Sequence, residues 1–314
     1  MLNVPSYLKA GNGAILLNDN LGSIRGTVLV PAAQGITIPA GGGNTPGTAT
    51  PQFLEAPSDG WCDLQSLVGF YSAATAANTQ RRCLVQIQDI LTVERKLSNK
   101  PVPIEHVFGN QKNPMYLEQY AEGLLMQDLQ VMTFLFSNPT LAAATFSFMS
   151  SAMKFQTAAR QMPPIAQYLD ELNLRRRKIC PYWFAPDQQI SIGQPGVTLA
   201  ASGRGLLTYT NYLRADIVLT EVMATAITSG VAGDVNEKIT FSIQDQRTDR
   251  NLQNQPVSLN CFAGDAQFPY VLPVPIRVEN NGILTVNLQN LVTDATTDVL
   301  LTFFGIRVDG GNDL

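Results

Sequence analysis

Short runs in which apolar and polar residues alternate, separated by Gly, Pro, Asn and Asp, recur along the chain, and they predict strands rather than helices. The most regular stretch lies between Ile239 and Val308. It contains Ile239-Thr-Phe-Ser-Ile-Gln-Asp245, Leu252-x-Asn254-x-Pro256-Val257, Phe268-Pro-Tyr-Val-Leu272, Leu284-Thr-Val-Asn-Leu-Gln289 and Leu301-Thr-Phe-Phe304. The same order stands upstream as Cys83-Leu-Val-Gln-Ile-Gln-Asp89, Leu97-x-Asn99-x-Pro101-Val102, Asn113-Pro-Met-Tyr-Leu117, Leu124-Leu-Met-Gln-Asp-Leu129 and Thr145-Phe-Ser-Phe148. The offsets are 156 for Ile-Gln-Asp, 155 for Leu-x-Asn-x-Pro-Val and for Pro-x-x-Leu, 157 for Thr-Phe, and 154 for Ile36-Thr-Ile38 against Ile190-Ser-Ile192. Self-similarity at a nearly fixed period predicts a duplicated structural unit.

The pattern divides the chain into an arm (1–21), a first β-sandwich domain (22–150), a helical linker (151–177), a second β-sandwich domain (178–308) and a polar tail (309–314). Gly26–Val30 and Ile36–Ile38 read as two strands, and Gly41-Gly-Gly43 with two prolines makes 40–51 a loop. Trp61–Val68 and 82–91 are further strands. The run Ser72-Ala-Ala-Thr-Ala-Ala-Asn78 joins them as a hairpin connection or an Ala-rich helical turn. Two readings compete over 138–162. In one, Asn138 caps a helix with Pro139 in its first turn; in the other, Phe146 and Phe148 share one face of a strand. The repeat favours a strand to about Met149 and a helix from about Ser151, broken at Pro163-Pro164. Beyond it, 189–192, 206–210 and 215–225 read as strands, the last alternating as Asp216-Ile-Val-Leu-Thr-Glu-Val222. The expected fold is therefore mainly β, with two tandem, internally duplicated, jelly-roll-like sandwiches joined by a short helical spacer.

Composition narrows the function. At 314 residues the chain is long enough for two cores. Charged residues are 15%, against roughly 25% in an average soluble protein, and the net charge is −4. No basic face points to direct nucleic-acid binding. Apolar residues reach 45%, yet no run is long enough for a spanning helix without a breaker, so a soluble chain with a surface covered by neighbours is expected. The N-terminus lacks the basic start and apolar core of a signal peptide. Cys62, Cys83, Cys180 and Cys261 are scattered without a Cys-x-x-Cys pair, and read as four small buried hydrophobes in a reducing cytoplasm.

A search for chemistry finds little. His106 is the only histidine, which removes Ser-His-Asp and multi-His constellations, and it aligns with the Cys261 region of the second copy. Asp89 and Asp245 follow Ile-Gln at matching positions, and Asp249 is a partner only for Asp245. Strand-end aspartates bonding their own turns are the simpler reading. Gly41–Gly43 lacks the phosphate-loop spacing, and Ser202-Gly-Arg-Gly205 lacks the nucleophile-elbow spacing. Arg175-Arg-Arg-Lys178 reads as a solvated helix end. Trp61 and Trp183 read as core residues, one per sandwich. The expectation is no enzyme, with no catalytic, cofactor-binding or metal residue.

The C-terminal part resembles a known group. Asp249-Arg-Asn-Leu252 through Pro256-Val257, Phe268-Pro-Tyr-Val-Leu-Pro273, Gly282-Ile-Leu-Thr-Val-Asn-Leu288 and Leu301-Thr-Phe-Phe-Gly-Ile-Arg-Val308 resemble tailed-bacteriophage virion proteins over about 130 residues. The chain departs from them at Val274-Pro275 and in its short acidic tail. The resemblance implies a virion structural component of the β-sandwich type, a head decoration, minor capsid or collar protein assembled in the bacterial host cytoplasm. Its partners would be major capsid, portal or tail components and copies of itself. A pair of similar domains also gives a trimer pseudo-sixfold symmetry, matching a hexameric capsomer or ring. The alternatives are a tail or baseplate adaptor, or a carbohydrate-binding module using Trp61, Trp183 or tyrosines.

Overall fold

The computed structural model describes residues 24–42, 47–56, 61–89, 95–117, 124–126, 131–155, 179–229, 238–246 and 250–309. These residues are mainly β, folded as antiparallel sheets of the β-sandwich type. The N-terminal unit supplies β1 (Ile24–Ile38), β2 (Thr50–Glu55), β3 (Trp61–Tyr71), the short helix α1 (Ala77–Arg82), β4 (Leu84–Asp89), β5 (Arg95–Lys96), β6 (Val102–Pro103), β7 (Met115–Tyr116), β8 (Leu124–Met126), β9 (Val131–Ser137) and β10 (Ala144–Phe155). Its sheets run β1-β10-β3-β7, with β8 beside β3, and β2-β9-β4-β5, with β6 beside β4.

The C-terminal unit supplies β11 (Ile179–Phe184), β12 (Gln189–Ser191), β13 (Gln194–Pro195), β14 (Val197–Leu199), β15 (Arg204–Thr210) and β16 (Ala215–Thr228). It continues with β17 (Ile239–Asp245), β18 (Arg250–Asn251), β19 (Val257–Ser258), β20 (Tyr270–Val278), β21 (Ile283–Asn290) and β22 (Thr297–Asp309). Its sheets run β11-β22-β16-β20, with β14 beside β22, and β15-β21-β17-β18, with β19 beside β17; β12 and β13 pair separately.

The two units share this order, and they share its details. Leu97 N–H donates to Ile87 O at 3.1 Å, and Leu252 N–H to Ile243 O at 2.9 Å. Gly69 N–H donates to Gly109 O at 2.9 Å, and Ala224 N–H to Gly264 O at 2.8 Å. At Gly109 and Gly264 alike, a Cβ would collide with backbone, Asn113 O in one and Phe268 O in the other, so only glycine lets the chain fold back there. Asn138 Oδ1 accepts from Thr140 N–H at 2.9 Å while Nδ2 donates to Ala142 O at 2.8 Å. Asn290 repeats this with Val292 N–H at 2.9 Å and Ala295 O at 3.2 Å. Even the bulges match: the register slips between Ser66/Ser151 and Leu64/Ala152, and between Glu221/Phe304 and Leu219/Gly305.

Several sequence expectations are corrected. The segment from Ser151 is not helical up to Phe155, because β10 continues to that residue between β1 and β3. Asn138 caps a loop rather than a helix. Gly26–Val30 and Ile36–Ile38 are one long strand, bent where its register shifts between Pro31, Ala33 and Ile36; Gly35 there holds a left-handed φ of 63°. The loop expected over 40–51 ends at Thr50, where β2 begins. The Ala-rich connection contains α1. Thr145-Phe146 does not answer Thr302-Phe303: Phe148 pairs with Gly69 as Leu301 pairs with Ala224, an offset of 153. The arm 1–21, the linker beyond residue 155 and the tail from 310 lie outside the described residues.

Alternation sets what each sandwich buries. Phe134, Phe136, Phe146 and Phe148 face inward from β9 and β10 and meet Phe108, with ring centroids 5.0–6.4 Å apart. In the second unit Phe184, Tyr209, Phe241 and Phe303 occupy the core. Each such side chain stabilises by roughly 1.5–3 kcal/mol through burial.

Candidate functional site

The feature that sets this chain apart from two sandwiches on a string is the seam between them. The segment after β5 runs beside β11: Trp183 N–H donates to Leu97 O at 2.8 Å. Asn99 grips the backbone of Ala185 on both sides, Nδ2 to its O at 2.7 Å and Oδ1 from its N–H at 2.8 Å. Arg82 meets Asp298 at 2.5 Å, and Lys100 Nζ donates to Asp187 O at 2.6 Å. Apolar contact is continuous across it, since Trp183, Met223 and Phe304 of the second unit belong to the same core cluster as Leu97, Ile104 and Val107 of the first. The units therefore form one packed body.

His106 lies at the centre of this seam, fully buried in a single 3-10 turn (Ile104–His106). Its Nδ1 is 3.0 Å from Thr302 Oγ1, and its Nε2 is 3.0 Å from Thr225 Oγ1. Thr225 gives its only hydroxyl proton to Glu105 Oε1 at 2.9 Å, so at Nε2 it accepts. Nε2 therefore carries the hydrogen, and Nδ1 accepts from Thr302. Desolvation pushes the imidazole pKa down to about 3, which keeps the ring neutral. Trp183 Nε1–H donates to His106 O at 3.0 Å, so Trp183 is a buried brace and not a sugar platform. His106 thus serves the joint between the units rather than one of them.

A cleft of about 280 Å³ opens beside this joint, lined by Arg81, Glu105, Thr225, Asn260, Asp265 and Phe268. Both carboxylates have structural duties: Glu105 accepts from Thr225, and Asp265 Oδ1 accepts from Gln267 N–H at 2.9 Å and Phe268 N–H at 3.0 Å. The cleft offers an aromatic face and polar groups from both units, a surface for a polar ligand or a neighbouring chain. No sequence motif marks it. The signal was the break in the repeat, where His106 stands against Cys261.

Glu221 was also missed. It is 1% exposed on β16, opposite Phe304, and neither carboxylate oxygen has a hydrogen-bond partner. Burial alone pushes its pKa up to about 7. It read as one polar position in an alternating strand, and the covering of that face by other elements is what sequence does not display.

Of the residues weighed from sequence, Asp245 ends β17 beside a cleft of about 160 Å³ shared with Arg277 and Glu279. Asp249, the Arg175–Lys178 cluster and the side chains of Asp89 and Trp61 lie outside the described residues. Ser202 serves a turn with a φ of 52°. Cys62, Cys83 and Cys180 are buried as expected, but Cys261 is exposed, a correction: it ends the second unit's 3-10 turn (Leu259–Cys261), in which only Leu259 is buried. Among the described residues no cluster of three metal-ligating side chains occurs, and no helix is long and apolar enough to cross a membrane.

No family model and no curated protein matches the chain. Solved structures similar to it include PNGase F, a glycosylasparaginase from Flavobacterium meningosepticum, at 10% identity and a TM-score of 0.40, over 90% of this chain and 96% of that one. The plant receptor-like kinase ANX2 is similar at 13% identity and a TM-score of 0.24, over 94% and 91% of the two chains. A triple jelly-roll turret protein of an archaeal virus is similar at 11% and 0.23, over 90% and 59%. The presence of an enzyme in this set overturns the expectation that the chain is not an enzyme. Counting motifs detects only constellations with a fixed spacing in sequence. At these scores the likenesses assign no activity to this chain.

Proposed function

We infer that the chain is a structural building block of a tailed-phage particle, carried on the head as a decoration, minor capsid or collar protein. The observation that supports this best is the seam. It fixes two units of one strand order in a single body, so one chain presents two like surfaces at a set spacing. Three such chains would offer six like units to a hexameric neighbour. The repeat in sequence supports duplication of one unit as the origin of this arrangement. A charged fraction of 15% and exposed Phe53, Phe70, Ile192, Tyr212 and Val274 suit broad contacts of low polarity with other virion proteins. The Arg-Asn-Leu and Pro-Tyr-Val-Leu-Pro motifs that carry the phage resemblance sit at β18 and β20, at the edges of the second unit's sheets.

Electron microscopy of particles labelled through this chain tests the reading. Density on the head or neck is expected. Label confined to the tail tip would favour a tail or baseplate adaptor and remove the head assignment; absence from purified particles would remove both.

A further inference from the structure

The first unit docks on the second with a particular surface, and the second unit carries matching segments whose Leu252 and Cys261 stand exposed. In the first, the segment after β5 and the 3-10 turn at Ile104–His106 face the partner unit: Leu97 is 1% exposed and His106 is 0%. Their counterparts 155 positions on are Leu252, 45% exposed, and Cys261, also exposed. The receiving face shows the reverse asymmetry. On the second unit it is the outer side of β16 and β22, where Thr225 is 7% and Thr302 is 1% exposed beneath His106. By the strand pairing, Thr225 answers Phe70 on β3 and Thr302 answers Met149 on β10. Phe70 is 64% exposed and Met149 is half-buried.

Each chain thus holds one joint made and, by strand placement, the two halves of a second left exposed. We propose that a second copy of this chain fills the open joint, its Leu252 and Cys261 segments seated on the Phe70–Met149 face of the next copy. The contact is head-to-tail, and repetition builds a ring or a filament according to whether the rotation closes. The occupant is a copy rather than another protein because the made joint is already this fold docked on itself. Two apolar side chains, Leu252 and Phe70, stand open where their counterparts are covered or polar. This rests on the building-block reading above and names the surface through which the blocks meet.

The test uses the full chain with Phe70→Cys, a position exposed enough for the fold to tolerate the change. A short bismaleimide is chosen because it joins neighbouring thiols that lie beyond disulfide range. Cross-linked dimers and larger ladders are expected, and they should vanish in Phe70→Cys/Cys261→Ser. Dimers that persist in the double variant, where one accessible thiol per chain can link no further, would mean that Phe70 meets Phe70, overturning the head-to-tail contact. Oligomers in solution that never link through Cys261 would overturn this joint while leaving a self-assembling building block intact. A chain that stays monomeric and unlinked at all concentrations would overturn it too, and the particle labelling would then judge the broader reading alone.

Discussion

The two units reach one topology with different interiors. The first packs five phenylalanines into a single ring cluster, with Phe136 in contact with Phe108, Phe134, Phe146 and Phe148. The second uses Phe184, Tyr209 and Phe303, and satisfies the phenol through Tyr209 O–H donating to Leu301 O at 2.8 Å. What they hold in common is at the turns: the two asparagine caps, the two glycine fold-backs and the two bulges. Strand order is therefore specified by turn chemistry and alternation, while the core needs only enough apolar volume. The largest test of this contrast is Phe136→Ala. Removing the fully buried ring should cost about 3–5 kcal/mol in urea unfolding. The seam makes both units one packed body, so a single transition is expected to move. A second transition staying in place would show that the units unfold independently.

The same contrast explains what was legible. The strand-and-turn pattern was readable where backbone geometry dictates the residue, as at Leu97 and Leu252, whose N–H groups close back onto Ile87 O and Ile243 O. The strand β10 was misread in its second half. Flanked on both sides by β1 and β3, it carries Met149-Ser-Ser-Ala-Met153, small and mixed residues without a clean alternation. The Asn138-Pro139 pair imitates a helix start because asparagine satisfies free backbone groups equally well in a loop. The seam left one trace, the break in pattern where His106 stands against Cys261. Leu97 and Leu252 are the same residue and differ only in what lies against them, so nothing local to either unit records the other's position.

A smaller effect is expected where the bulges correspond. At the first, Ser66 Oγ and Ser151 Oγ share a hydrogen bond of 2.5 Å. At the second, Glu221 faces Phe304 with both oxygens unpartnered. Its folded pKa is raised from 4.5 to about 7. The proton is thus bound more tightly in the folded state. The associated stability is complete below pH 4.5, declines between 4.5 and 7, and is lost above 7. Glu221→Gln removes this dependence. The variant should match the parent near pH 4.5 and exceed it by about 3 kcal/mol at pH 8, read from urea midpoints. His106 acts with the opposite sign, its contribution complete above pH 6.5 and lost on acidification toward 3, but it is common to both proteins and cancels in the difference. An equal gap at both pH values would show that burial does not govern this carboxyl.

The smallest effect, and the sharpest for the asymmetry, comes from the matched pair His106→Ala and Cys261→Ala. The first removes a fully buried ring and its hydrogen bonds to Thr225 and Thr302, and should cost about 2 kcal/mol. The second truncates an exposed thiol and should stay within about 0.5 kcal/mol in a monomeric sample. Both substitutions fall in the same 3-10 turn of the same fold, so local propensity cancels between them and the difference reports the joint. If the Cys261 cost rises with protein concentration while the His106 cost does not, the second joint is closing between chains. If the two costs are equal in dilute solution, His106 is not bracing the seam, and the union of the two units must rest on Trp183 and the Asn99 clasp instead.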